Sequence, residues 1–201
     1  MNTIGGTGGL DVSGGILNVA GSAQLGRLNQ SAGVLATNGD ANIGSVTLSG
    51  GTLATAGSLT VSNGFNQTGG AVTAGAAVAI NQAVGSISPG NITAGGSLVV
   101  SAERGDIGQV NDTVLAAAGK SAFLAPNGEV SLGSANRLGA TLVLADNASV
   151  RQVPIGDAIR ATSRSNVRAD RRPAGNDKLL AQYYGMNVVI VWFISDSIVR
   201  I

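Results

Sequence analysis

Cysteine and histidine are both absent from this chain of 201 residues. Their absence excludes disulfide bonds and any metal site built on thiolate or imidazole. Aromatic residues make up 3% and charged residues 11%, the latter under half the usual share of a globular domain. A long apolar run is missing too. The longest, "VVIVWFI" from Val188 to Ile194, is far short of the roughly 20 residues that span a bilayer. The opening "MNTIGGTGGLDVSGG" has neither a basic nor an apolar segment of the signal-peptide kind. The chain as given is therefore expected neither to direct its own export nor to cross a membrane.

What remains is 44% hydrophobic and holds 31 glycines. Disordered chains are poor in apolar residues and rich in charge, so this chain can bury surface. It does so mainly with Leu, Val, Ile and Ala, which suit thin regular layers better than a thick core. Charge is unevenly spread. Residues 1–102 carry only Asp11, Arg27 and Asp40, whereas residues 151–201 carry seven arginines, one lysine and four aspartates.

The apolar residues recur in a phrase. "SGGILNVAGSAQL" (Ser13 to Leu25), "SAGVLATNGDANI" (Ser31 to Ile43), "SGGTLATAGSLTV" (Ser49 to Val61), "TGGAVTAGAAVAI" (Thr68 to Ile80) and "SPGNITAGGSLVV" (Ser88 to Val100) follow at steps of 18, 18, 19 and 20. Leu17, Leu35, Leu53, Val72 and Ile92 head the copies. Ala23, Ala41, Leu59, Val78 and Leu98 stand six residues on, and Leu25, Ile43, Val61, Ile80 and Val100 stand eight on. Alternation within a copy is the period of a strand with one face buried. Gly, Asn and Asp between the strands supply corner conformations.

Each copy therefore reads as strand, corner, strand, then a looser third segment such as "RLNQ", "SVTL" or "GFNQ". One copy cannot stand alone. A buried aliphatic contributes about 1.5–3 kcal/mol, while every ordered residue costs about 1–2 kcal/mol in backbone entropy. Stacked copies share ladder hydrogen bonds and bury each other's ends. The expected fold is all-β: a parallel β-helix (β-solenoid) with coils of about 18–23 residues. A left-handed helix of three hexapeptides is the alternative. Asn29, Thr47 and Phe65 stand where its third aliphatic should recur, and coil length drifts upward, which favours the right-handed form.

The looser phrases from Asp106 onward still alternate, as at Val130 and Leu132 or Leu142 and Leu144. The repeat region is set at 1–157 and a basic polar linker at 158–178. An apolar, β-prone tail follows at 179–201, either a cap for the solenoid end or a segment foreign to it. No aromatics interleave the arginines of "RATSRSNVRADRRPAGNDK", so they read as a solvated segment and not as a nucleic-acid site.

"GSLTVSNGFNQTGGAVTAGAAVAINQ", "GGSLVVSAERGDIGQ" and "GEVSLGSANRLGATLVLADNASV" resemble the filamentous haemagglutinin-type repeats of two-partner-secretion exoproteins and autotransporter passengers. The resemblance covers about Gly5 to Asp157. It implies a right-handed β-helix exported by Gram-negative bacteria through an outer-membrane secretion pore, in a secreted or cell-surface protein. The function it implies is an adhesive shaft or the stalk of a contact-dependent toxin, with a host-cell receptor or surface glycan as partner. Such exoproteins begin with a secretion domain carrying an "NPNGI"-like motif. Here only "APNGEV" (Ala125 to Val130) echoes it, so the chain reads as an internal or truncated piece.

One short motif offers a ligand site. Arg104, Gly105 and Asp106 would present a cation and a carboxylate on one turn, as integrin-type receptors and their bound metal require. Against this, Gly-Asp-Ile-Gly is an ordinary corner phrase. The alternative function is a carbohydrate-active β-helix enzyme, which needs clustered carboxylates. Asp11 and Asp40 are 29 residues apart, no multiple of the coil, and Asp106 and Asp112 lie in a corner region, so structural charge is the reading adopted for them. No catalytic residue, cofactor or metal is expected. "GGTGGLD" (Gly5 to Asp11) has its aspartate one place late for a calcium nonapeptide and no helix after it for a phosphate loop. The Asn-X-Ser/Thr triplets at Asn29, Asn66, Asn91, Asn111 and Asn147 read as corner composition.

Overall fold

Alternation within each coil becomes strand pairing between coils. The computed structural model describes residues 3–152, with side chains to Ala148, and four further strands: Ile159–Ser163, Val167–Ala169, Ala181–Tyr184 and Val188–Val191. The described residues form no helix. Strands of successive coils pair in parallel throughout the main sheet, and the protein is a β-solenoid.

Its coils have three faces. On the first, Leu17, Leu35, Leu53, Val72, Ile92 and Leu115 stand in register. On the second stand Ile4, Ala23, Ala41, Leu59, Val78, Leu98, Ser121, Thr141 and Ile159. Steps between them are 19, 18, 18, 19, 20, 23, 20 and 18 residues, which makes eight turns. Leu35 and Leu53 are fully buried and Val72 is 1% exposed, so the expected inner column is present.

The third face differs from its expected looseness. It is strand, with Leu10, Leu28, Val46 and Phe65 stacked and continuing through Ile87, Ile107, Val130 and Ala148. Asn29 and Thr47 lie one residue past the inward position, and Phe65 occupies it. The corners cause the slip. From Leu25 to Leu28 the chain advances three residues, an odd number, so a period of two cannot be carried across Gly26. A bulge between Val61 and Gly64 adds one residue in that coil and brings Phe65 back into line.

The glycine at the turn from the third face to the first has a steric cause. Gly15, Gly33, Gly51 and Gly70 have φ of +70°, +73°, +79° and +69°. They stack so closely that a Cβ on Gly33, Gly51 or Gly70 would come within 3 Å of the carbonyl beneath. Only glycine meets both conditions.

Polar side chains also enter the core. Gln30, Gln67 and Asn136 are 1%, 0% and 0% exposed. Gln30 Nε2 donates to the carbonyls of Gly33 (3.1 Å) and Thr52 (2.9 Å). Gln67 Nε2 donates to those of Gly70 and Asn91, both at 3.2 Å, while its Oε1 accepts from Gly90 N at 3.0 Å. Gln109 exchanges two bonds with Asn136, 2.7 and 2.9 Å long. Gln30 and Gln67 stand at the end of the third face, and Asn136 stands above Leu115 at the first, where its Oδ1 also accepts Leu115 N at 2.9 Å. Buried amides of this kind are held by such bonds.

Most of 158–178 and 179–201, read from sequence as linker and tail, lies outside the described residues. Within the first stretch, Ile159–Ser163 and Val167–Ala169 pair in parallel with 141–145 and 148–150. Within the second, Ala181–Tyr184 and Val188–Val191 form an antiparallel pair.

Candidate functional site

Arg104, Gly105 and Asp106 lie on the turn between the strands Leu98–Ala102 and Ile107–Gly108. Arg104 and Asp106 are exposed, and Ile107 is fully buried, as alternation demands. The turn is bound to the coils on either side. Below it, Gly85 N donates to Arg104 O (2.9 Å), Ile87 N to Asp106 O (2.8 Å) and Asp106 N to Ser86 Oγ (3.0 Å). Above it, Asn127 Nδ2 donates to Glu103 O at 2.9 Å and Glu129 N to Asp106 Oδ1 at 2.8 Å. A Cβ on Gly105 would overlap the Gly85 carbonyl, and one on Gly128 the Gly105 carbonyl. Gly105 is therefore fixed by stacking, whatever else the turn does.

Asp106 is one of a set. Asp40 Oδ1 accepts Ser58 N at 2.8 Å, and Asn91 Oδ1 accepts Val114 N at 2.9 Å. Register places each acceptor directly beneath its donor: 41 pairs with 59, 92 with 115 and 107 with 130. At a corner the ladder loses a carbonyl partner, and a short side chain from the coil below replaces it. This is the job an N-cap residue does for a helix end.

The remaining carboxylates are dispersed. Asp11 accepts from Asn29 Nδ2 at 2.8 Å and lies 3.7 Å from Arg27 Nη2 on the exposed third face. Asp40 sits at the corner before the second face, so the two aspartates are on different sides, as their separation implied. Asp112 adopts φ +59° in a turn. Among the described residues no three Asp or Glu side chains come together as metal ligands would, and no helix is long and apolar enough to cross a membrane.

The side chains that replace missing ladder partners escape a reading of apolar positions. Gln30 and Gln67 leave a trace, since both stand in Asn-Gln-Ser/Thr-X-Gly, in "NQSAG" and "NQTGG". The glycine ending that phrase is the one with positive φ. No protein-family model, curated protein or solved structure matches the chain.

Proposed function

We propose that this chain is a structural, adhesive shaft: a length of parallel β-solenoid from a bacterial surface or secreted exoprotein of the filamentous haemagglutinin kind. The observation that carries this reading is the unbroken ladder from Ile4 to Ile159, whose columns persist while coil length varies from 18 to 23 residues. Eight turns at about 4.8 Å each give a rod about 40 Å long, filled by side chains and stiffened along its axis by hydrogen bonds. Such a rod holds things apart and presents corners along its length. In this reading the protein is not an enzyme. It passes an outer-membrane pore as an extended chain and folds outside, and its partners are a host-cell receptor or a surface glycan.

Within that reading the discrete contact site is the turn at Arg104, Gly105 and Asp106. Both charged side chains are exposed there. Asp106 Oδ1 is already engaged by Glu129 N, so a receptor-bound metal would be met by the other carboxylate oxygen. An insertion tests the shaft. A second copy of residues 41–58 placed after Ser58 should lengthen the rod by about 4.8 Å in small-angle scattering and preserve cooperative unfolding. An insertion that abolishes folding would remove the reading.

A further inference from the structure

The two ends of the solenoid are not alike. At the first coil, Ile4–Gly5 pairs with 23–24, its only partner strand among the described residues. Ile4 N donates to Ser22 O and Gly6 N to Gln24 O, so the Gly5 amide faces away from the rod. At the last coil, Ile159–Ser163 pairs in parallel with 141–145 on one side. Beside it runs Val188–Val191, with Cα atoms within 8 Å. That strand's own partner, Ala181–Tyr184, is antiparallel.

Without a strand beside the last coil, the two ends of the stack would be complementary. A second copy could add its Ile4–Gly5 to Ile159–Ser163 in the direction of the existing ladder. The contact would be heterologous and would not close, so it would propagate as a filament. We propose that the hairpin of Ala181–Tyr184 and Val188–Val191 is the stop that prevents this, by covering the last edge with strands whose antiparallel sense ends the ladder. The segment's composition accords with that role. Val188 to Val191 is a run of β-branched residues, suited to lying beside a strand.

The test uses the full chain carrying Val189→Lys and Val191→Lys. These raise the formal net charge from +1 to +3, which by itself opposes association. The parent should sediment as one small species. The double variant should form long, unbranched filaments in sedimentation and electron microscopy, and adding Gly5→Pro should abolish them. Proline there removes an outward amide and meets no atom within 4 Å at its Cβ. Filaments that survive Gly5→Pro, or a double variant that keeps its far-ultraviolet β spectrum and sediments like the parent, would overturn the proposal.

Discussion

Asp106 stands directly beneath Glu129 in the stack, and its Oδ1 accepts that residue's backbone N–H at 2.8 Å. Asp40 does the same for Ser58 at the same distance. The second pair lies outside any Arg-Gly-Asp context, since Gly39 and Asn38 precede Asp40. A carboxylate at a corner thus has a structural use in this chain independent of any receptor.

The two roles of Asp106 separate by substitution. Asp106→Asn keeps an oxygen for Glu129 N and should hold the melting temperature nearly unchanged. Asp106→Ala leaves that amide to water and should cost about 1 kcal/mol. Attachment of integrin-bearing cells should fall to background with both variants if the turn binds a receptor metal, because both remove the charge. Attachment unchanged in Asp106→Asn would assign the residue to the fold alone.

Period-two alternation makes Leu53 and Thr52 a sharp pair. Leu53 is fully buried in the first-face column and Thr52 is half-buried on the outside. Leu53→Asp puts a carboxylate among Leu35, Val72 and their neighbours with no cation in reach. It should destabilise by about 4 kcal/mol or more. Thr52→Asp should shift stability by about 0.5 kcal/mol at most. Similar urea midpoints for the two variants would contradict the assigned faces.

The first two faces were legible because their inward residues keep fixed offsets: six from Leu17 to Ala23, eight from Leu17 to Leu25, repeated in every copy. The third was not, although Leu28, Val46 and Phe65 are as buried as the rest. Its entry corner consumes an odd number of residues, and the bulge before Gly64 changes that number in one coil. A periodicity read along the chain cannot follow a phase that a corner resets. The candidate turn at residues 104–106 was legible as a location, with Ile107 inside and its charged neighbours outside. Its hydrogen bonds were not, because Ser86 and Glu129 are its neighbours only through coil lengths of 20 and 23 residues.

Two glycines to which the sequence gives equal status should respond differently to alanine. Gly51 has φ +79°, and a Cβ there would press on the Gly33 carbonyl beneath. Gly51→Ala should cost more than about 2 kcal/mol, combining left-handed strain with a backbone clash. Gly64 has no positive φ, and its nearest Cβ neighbour would be Ser45 Cβ at 3.8 Å. Gly64→Ala should be neutral or stabilise by about 0.4–1 kcal/mol through the unfolded chain's lost freedom. Chemical denaturation of the two single variants measures both.

Gln67 gives the most direct test of the buried amides. One coil below it in the same inward position stands Leu48, also fully buried, so a leucine side chain fits this column. Gln67→Leu should therefore fail for polar reasons and not steric ones. It would leave the Gly70 and Asn91 carbonyls and the Gly90 amide without the partner each now has. One buried polar group without a partner costs about 1–3 kcal/mol, so the variant should lose at least that much. The loss should be local first. Amide exchange should accelerate at Gly90 and along Asn91–Ala94, while the columns near Leu28 stay protected. A Gln67→Leu protein as stable as the parent would mean that the corner is wet and the glutamine's bonds are replaceable by water. Uniform acceleration of exchange along the rod would instead mean that its coils unfold as one unit, with the corner amides acting on all of them together.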